Sequence, residues 1–241
     1  MTHHRTATRR RPARLAATIT LLAPAFAACC LAAPAAKPDP KAGPDRWEKA
    51  IAAFETADQA NPPKPGGVVF FGSSSIRMWK LDKSFPELPC VNRGFGGSQM
   101  SDAARYAERV VVPHKPRVLV VYSGDNDLAA KRTPEQVLAS AAELVRTVKA
   151  KLPETRIVFI GVKASLKRWE LIETIRETNR LLGKLAADTE GVAFVDVAPA
   201  MLGEDGKPRA ELFIQDGLHL SEAGYKLWAE KLRPHLGDRG Q

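Results

Sequence analysis

The chain has 241 residues, of which 44% are hydrophobic and 26% charged, and these are ordinary proportions for a globular protein. Only three cysteines are present, which excludes a scaffold held together by disulfides. The formal net charge is +9, yet residues 1–35 hold five arginines and no acidic residue, so the remainder carries 31 basic against 27 acidic residues. That small excess gives no reason to expect nucleic-acid binding.

The first 35 residues have the three-part pattern of a secretory signal peptide. Residues 1–14 are basic and polar, residues 15–33 are apolar and rich in alanine, and a zone of small residues ends near Ala35. We therefore expect export to the periplasm or the extracellular space, with no membrane span left after cleavage. The apolar segment is close to the minimum length of a transmembrane helix and is interrupted by Pro24, so an uncleaved anchor is the less favoured alternative.

A second alternative concerns the cysteines of this segment. Residues 26–29, Phe-Ala-Ala-Cys, resemble a bacterial lipoprotein box, which would leave a lipidated Cys29 as the N-terminus. Cleavage near Ala35 would instead remove Cys29 and Cys30 and leave Cys90 without a partner for an internal disulfide. Residues 36–44 are rich in proline and lysine and predict a flexible linker. One folded domain is then expected over residues 45–241.

Strand and helix patterns alternate along this domain. Five short apolar runs rich in β-forming residues occur at residues 68–71, 90–92, 118–122, 157–162 and 192–197. Helical stretches are predicted at residues 45–59, 101–112, 134–152, 169–187 and 222–236. Because the strands are almost continuously apolar, they are expected in a parallel sheet buried on both faces. The alternation predicts an α/β fold, a three-layer α/β/α sandwich around a five-stranded parallel sheet.

The carboxyl ends of parallel strands are where such sheets bind ligands, so the segments that follow the strands are candidates for a site. After the first strand, residues 72–75 read Gly-Ser-Ser-Ser, and these serines either cap a helix or include a nucleophile. After the second, residues 92–97 read Asn-Arg-Gly-Phe-Gly-Gly, which is either a flexible loop or a set of N–H groups for an oxyanion. A dinucleotide fingerprint is excluded because Gln99 stands where its third glycine belongs.

Polar residues also follow the third strand, where residues 124–127 read Gly-Asp-Asn-Asp. They are compatible with a plain turn, with a hard-cation site that lacks calcium-loop spacing, or with an Asn126 that donates its amide into an active site. Near the C-terminus, Asp216 and His219 stand three residues apart on a turn before a helix. Such an aspartate can orient the imidazole, as in the supporting half of a Ser-His-Asp triad, whereas a surface histidine that caps a turn is the alternative.

Taken in this order, the four segments resemble the SGNH hydrolases, or GDSL-like esterases and lipases, over residues 66–236. Residues 72–74 resemble the family's Gly-Asp-Ser block, Gly97 matches the glycine of the second block, residues 124–127 match Gly-x-Asn-Asp, and residues 216–219 match Asp-x-x-His. One position departs from the family, because Ser73 stands where an aspartate is common. An ungapped alignment of the block selects Ser74 as the nucleophile, with Ser73 and Ser75 as the other choices.

The resemblance implies hydrolysis of carboxylic esters through an acyl-enzyme. Ser74 would attack the ester carbonyl, His219 would act as general base and then general acid, and Asp216 would orient His219. The backbone N–H groups of Ser74 and Gly97 and the side-chain amide of Asn126 would form the oxyanion hole. Neither a cofactor nor a metal is implied. The expected substrate is a short-acyl or acetyl ester, on a small molecule, a carbohydrate or a lipid, and the oligomeric state is left open.

Other functions stay open at this point. The same fold could serve as a glycan-binding module with a decayed nucleophile, which the serine at position 73 favours, or as a lysophospholipase-type lipid hydrolase. A flavodoxin-like nucleotide or phosphate binder would use residues 94–97 but would leave Asp216 and His219 unexplained. Several basic or aromatic side chains are further candidates for lining a site: Arg77, Trp79, Lys163, Arg168 and Trp169.

Overall fold

The computed structural model describes residues 1–3 and 46–237. The predicted signal peptide from residue 4 onward, the predicted linker at residues 36–44 and the lipoprotein alternative at Cys29 lie outside the described residues. Within the described ranges, no helix is both long enough and apolar enough to cross a membrane.

Five parallel strands form the central sheet. They are β1 (Val68–Gly72), β2 (Cys90–Gly94), β3 (Val118–Tyr122), β4 (Arg156–Ile160) and β5 (Val192–Val195). Their order across the sheet is β2-β1-β3-β4-β5, and each neighbouring pair runs parallel. Gly72 lies opposite both Gly94 and Tyr122, so the carboxyl ends of β1, β2 and β3 are level at one edge. The predicted α/β fold class is confirmed.

Helices cover both faces of this sheet. The α-helices of the described chain are α1 (Glu48–Ala60), α2 (Ser74–Arg77), α3 (Leu81–Ser84), α4 (Met100–Val110), α5 (Asp125–Ala129), α6 (Pro134–Lys151), α7 (Ile172–Ala187) and α8 (Glu222–Leu232). Helices α1, α4, α6 and α7 contribute to the apolar cluster on one face, and α3 and α8 to the cluster on the other. Thr133 begins α6 with a capping box, and Pro134 follows at the first helical position, where no N–H is needed.

Successive strand side chains point alternately into the two apolar clusters, as a sheet buried on both faces requires. Val69 and Phe71 point into one layer, and Phe70 points into the other. Beneath α8, an aromatic cluster brings neighbouring ring centres to between 4.8 and 5.8 Å, and its members are Phe70, Trp79, Phe85, Tyr122 and Trp228. Each fully buried apolar side chain contributes about 1.5–3 kcal/mol, so this cluster holds α8, and with it the turn before α8, against the sheet.

The observed boundaries differ from the predicted ones by up to four residues, and the early end of β4 has a local cause. The apolar run at residues 157–162 predicts a longer β4, but this strand ends at Ile160. The backbone N–H and C=O of Val162 bond the side chain of Asn179 instead, at 2.7 and 2.9 Å. The chain therefore leaves the sheet, passes through a 3₁₀ segment at Leu166–Leu171, and enters α7 at Ile172 rather than at residue 169.

Candidate active site

The three consecutive serines take different positions at the end of β1. Gly72 has a φ of +131°, and a Cβ there would lie 2.0 Å from the carbonyl oxygen of Tyr122, so the sharp turn requires glycine. Ser73 and Ser75 are each 1% exposed, and neither hydroxyl has a partner among the described residues. Ser74 begins α2, is only partly buried and lines a cavity. Of the three candidates, Ser74 is the one whose hydroxyl is accessible.

Hydrogen bonds from two other elements hold the short helix that carries Ser74. The side-chain amide of Asn92, on β2, donates to the carbonyl oxygens of Ile76 at 2.7 Å and Trp79 at 3.2 Å. From α8, the hydroxyl of Tyr225 donates to the carbonyl oxygen of Ser75 at 2.9 Å. A four-residue helix cannot hold its shape alone, so these long-range bonds fix the direction in which Ser74 points.

His219 reaches Ser74 from the turn before α8. Its Nε2 lies 3.0 Å from the Ser74 Oγ, and its Nδ1 lies 2.6 Å from the Asp216 Oδ2. The other carboxylate oxygen of Asp216 accepts the backbone N–H groups of Leu218 and His219, each at 2.9 Å. The structure thus joins Asp216, His219 and Ser74 into one continuous chain of hydrogen bonds.

The charge of Asp216 decides the tautomer of its neighbour. Partial burial acts to raise the pKa of Asp216, but hydrogen bonds from the His219 side chain and from two backbone N–H groups outweigh it and lower that pKa to about 2. Asp216 is therefore ionised at neutral pH and requires a proton on the His219 Nδ1. In neutral imidazole the Nε2 lone pair is then free to accept the hydroxyl proton of Ser74.

Ser74 and His219 open into a shallow cavity of about 480 Å³, whose other lining residues are Arg77, Gly96, Gly97, Asn126 and Leu218. Gly97 has a φ of +80°, and a Cβ on it would lie 3.3 Å from the ring of Trp47. All five predicted site residues are thereby placed together, Asp216 directly behind His219 and the other four on the cavity wall. A larger cavity of about 580 Å³ lies between the segment after α2 and α8 and contains none of them.

Asn126 stands in the first turn of α5, directly after β3. One amide hydrogen of its Nδ2 is donated to the carbonyl oxygen of Ser98 at 3.0 Å. Its Oδ1 accepts the Arg168 guanidinium at 3.1 Å. The second Nδ2 hydrogen is left for the cavity that Asn126 lines.

The two aspartates beside Asn126 are engaged by protein groups. Asp125 accepts Lys163 and Arg168, together with the Tyr122 hydroxyl at 3.2 Å. Burial acts to raise the pKa of Asp125, but the two cations outweigh it and lower that pKa. Both oxygens of Asp127 accept the Met100 N–H, at 3.1 and 3.0 Å, and burial raises its pKa to about 7. Neither carboxylate is free for a hard cation, and no cluster of three or more metal-ligating side chains occurs in the described residues.

Of the five further side chains that the sequence suggested for lining the site, one lines the cavity and four do not. Arg77 lines the cavity, whereas Trp79 is 3% exposed inside the aromatic cluster beneath α8. The ring of Trp169 lies 4.8 Å from the Lys207 ammonium and does not line the cavity at Ser74. Lys163 and Arg168 lie behind Asn126 rather than on the cavity wall. Both were named from the sequence as candidates for lining the site, but their contacts with Asp125 and Asn126 were not predicted from it.

Comparison with known proteins agrees with this geometry. The model of the GDSL-like lipase/acylhydrolase family matches residues 71–227. Platelet-activating factor acetylhydrolase IB subunit alpha1 of Bos taurus is 29% identical over 206 residues, which cover 80% of this chain and 84% of the relative.

Two solved structures share the fold at lower identity. A protein from Streptococcus pneumonia matches with a TM-score of 0.72 at 22% identity, over 79% of this chain and 92% of its own. An acetylxylan esterase from Geobacillus stearothermophilus matches with a TM-score of 0.58 at 18% identity, over 72% of this chain and 95% of its own. Because the family model matches more than half of the chain and spans all four segments of the site, the chain belongs to the GDSL-like lipase/acylhydrolase family of the SGNH hydrolase superfamily and is a hydrolase of ester bonds.

Proposed function

We propose that the protein is an exported serine esterase that removes acetyl or other short acyl groups through an acyl-enzyme on Ser74. The observation that carries the proposal is the unbroken chain from Asp216 through His219 to Ser74, with distances of 2.6 and 3.0 Å, at the wall of an open cavity. Export rests on the signal-peptide pattern of residues 1–35.

The proposed reaction has two halves. In the first, the Ser74 Oγ bonds to the ester carbonyl carbon while His219 takes the hydroxyl proton, and the carbonyl becomes an oxyanion. The N–H groups of Ser74 and Gly97 and the free amide hydrogen of Asn126 stabilise that charge. The oxyanion collapses, the alcohol leaves with the proton from His219, and Ser74 carries the acyl group. In the second half, water attacks with the same assistance and releases the carboxylic acid.

A short acyl group is favoured by the relatives of the chain. The Bos taurus relative is named as an acetylhydrolase, and the Geobacillus stearothermophilus neighbour as an acetylxylan esterase. A kcat/KM that falls from acetyl to octanoyl p-nitrophenyl esters would support this choice, and acetylated xylo-oligosaccharides would test the carbohydrate. Rising activity with chain length, together with turnover of a lysophospholipid, would favour the lipid hydrolase instead.

The serine at position 73 does not favour a glycan-binding module once the geometry is known. A decayed site would be expected to have lost its hydrogen bonds, whereas His219 still contacts Ser74 and Asp216. Ser73 itself is buried, and its side chain makes no cap bond to α2. The nucleophile therefore keeps its base in the absence of the usual aspartate.

The deciding experiment is p-nitrophenyl acetate hydrolysis by the purified chain, compared with its Ser74→Ala, Ser73→Ala and Ser75→Ala variants. We expect kcat to fall by at least about 10⁴ in Ser74→Ala, because the residual rate of a triad enzyme comes only from binding and the oxyanion hole. The two neighbouring variants serve as matched controls and should retain activity. Intact-protein mass spectrometry after rapid acid quench should find one acetyl group on the unmodified chain and none on Ser74→Ala.

The opposite results have definite meanings. Equal hydrolysis by the unmodified chain and Ser74→Ala would overturn the nucleophile assignment, and loss in Ser73→Ala or Ser75→Ala would reassign it. Absence of hydrolysis by the unmodified chain on every ester of the panel, with retained binding of acetylated glycan, would replace the esterase by the binding module.

A further inference from the structure

A cluster of three charged side chains and one tyrosine hydroxyl, all buried except the partly exposed Arg168, lies behind the Asn126 amide. Its members are Tyr122 at the end of β3, Asp125 in α5, Lys163 after β4 and Arg168 in the 3₁₀ segment that precedes α7. Lys163 is 1% exposed and Asp125 is 5% exposed. Removing charges from water costs several kcal/mol for each ion, so a cluster of this kind needs either excellent pairing or a functional reason.

The charges of this cluster do not cancel. Asp125 carries one negative charge, and Lys163 alone would neutralise it. Arg168 contacts the second oxygen of the same carboxylate and adds a second positive charge. The cluster therefore has a net charge of +1, and the cation next to Asn126 is Arg168.

The Arg168 guanidinium donates hydrogen bonds to two different side chains, Asp125 and the neutral amide of Asn126. One Nη contacts Asp125, and the other donates to the Asn126 Oδ1 at 3.1 Å. A guanidinium presents its donors in a planar fork, so a single side chain can hold two acceptors in a fixed relation. The amide nitrogen of Asn126 is meanwhile held by the carbonyl oxygen of Ser98 at 3.0 Å.

These contacts allow only one orientation of the amide. If the Asn126 amide were flipped, its NH₂ group would face the guanidinium and its oxygen would face the Ser98 carbonyl, and both contacts would be repulsive. In the observed orientation the second amide hydrogen remains for the cavity. The positive charge on the oxygen side also polarises the amide and makes that hydrogen a stronger donor.

We propose that Arg168 is a positioning residue for the oxyanion hole: fixed by Asp125, it orients and polarises the Asn126 amide toward the developing negative charge. Lys163 neutralises Asp125 and so frees the charge of Arg168 for the amide. This inference rests on the proposed esterase function for its kinetic consequence, but the orientation of the amide can be measured without catalysis.

The kinetic test is a double-mutant cycle with Arg168→Met, Asn126→Ala and the double variant, on p-nitrophenyl acetate. Asn126→Ala should lower kcat by about 10²–10³, which is the usual cost of losing one oxyanion donor. Arg168→Met should lower kcat by about 10–100-fold with KM changed by less than about threefold, because the donor is loosened rather than removed. In the Asn126→Ala background, Arg168→Met should change kcat by less than about twofold, because its effect passes through the missing amide.

Two further variants separate positioning from folding. Lys167→Met removes an exposed neighbouring charge and should leave kcat unchanged. Arg168→Lys keeps the charge without the fork and should fall between the unmodified chain and Arg168→Met. Equal losses from Arg168→Met in both backgrounds would overturn the proposal in favour of a structural role. An effect confined to KM would assign Arg168 to substrate binding instead.

A spectroscopic readout does not depend on esterase activity. The side-chain ¹⁵N amide signal of Asn126, assigned by its loss in Asn126→Ala, should show slow hydrogen exchange and two distinct protons. Arg168→Met should speed this exchange by tenfold or more, whereas Lys167→Met should not. If the unmodified chain hydrolyses no ester, the proposed function fails while this measurement still decides the positioning. An exchange rate unchanged in Arg168→Met would overturn the positioning whatever the activity.

Discussion

The two halves of the candidate site are built in opposite ways. On the nucleophile side, Ser74, Asp216 and His219 are partly exposed and are held by short hydrogen bonds, many of them within one turn. On the oxyanion side, Asn126 contacts the partly exposed Arg168, whose charge cluster also contains the buried Asp125 of α5 and Lys163 after β4.

Because of this difference in burial, substitutions on the two sides should affect kcat and the free energy of unfolding to different extents. Removing a partly exposed group of the nucleophile side leaves few buried groups without partners, so the expected cost falls on the reaction. Removing one member of the charge cluster leaves a buried partner without one of its hydrogen bonds, so the expected cost includes a loss of folding free energy as well as any loss of rate. Substitutions on the two sides should therefore be distinguishable by comparing kcat with the free energy of unfolding.

Among substitutions that keep the Ser74 hydroxyl, the largest effect is expected for Asp216→Asn. The amide of asparagine would donate to the His219 Nδ1 and favour the tautomer with its proton on Nε2, which cannot accept the proton of Ser74. We expect kcat for p-nitrophenyl acetate to fall by about 10⁴ with little change in the urea midpoint. Asp205→Asn is the matched control, because Asp205 also accepts a turn N–H, from Lys207 at 2.9 Å, in an exposed loop. A loss below tenfold in Asp216→Asn would contradict the assigned role.

A substantial loss of stability is expected for Lys163→Met. Lys163 contacts Asp125 and donates to the Tyr122 hydroxyl at 3.0 Å, and its loss leaves a buried carboxylate with Arg168 as its remaining cation. Because Arg168 still neutralises Asp125, the loss is that of the charged hydrogen bonds made by Lys163. We expect the free energy of unfolding to fall by about 1.5–3 kcal/mol, measured by urea denaturation. Lys184→Met, which removes an exposed pair with Asp188, should cost less than about 1 kcal/mol. Similar losses in both variants would show that the buried Lys163–Asp125 pair contributes no more to the free energy of unfolding than an exposed pair.

The smallest expected effect is a pH dependence of the free energy of unfolding, which follows from the different pKa values of the two aspartates beside Asn126. Cations lower the pKa of Asp125, whereas burial raises that of Asp127 to about 7. Between pH 4 and 7 folded Asp127 then holds a proton that the unfolded chain has lost, so its contribution to stability is full below about pH 4 and is lost as pH rises through 7. From pH 5 to 6 the unmodified chain should lose up to about 1.4 kcal/mol relative to Asp127→Asn, measured by denaturant unfolding at both pH values. Parallel stability curves would contradict the raised pKa of Asp127.

The sequence by itself carried the information for much of this protein. Five apolar runs and the helical periods between them predicted the parallel sheet, because local backbone preference and burial on both faces leave a readable pattern. The segments that contain Ser74, Gly97 and Asn126 were found from one rule, that parallel strands bring their carboxyl ends to the same edge. His219 was found from its spacing to Asp216 on a turn before a helix. The signal peptide and the export of the chain stay predictions, since they lie outside the described residues.

Tertiary structure decided what local patterns cannot contain. Three adjacent serines are equivalent in sequence, and only the turn at Gly72 and the approach of His219 across 145 positions single out Ser74. Likewise, Lys163 and Arg168 could be named from the sequence only as candidates for lining a site. Their contacts with Asp125 and Asn126 depend on the path of the chain after it leaves the sheet at Ile160. Strand and helix patterns depend on neighbours within a few residues, whereas these contacts join segments about 40 or more positions apart and exist only once the sheet order and the crossovers are set.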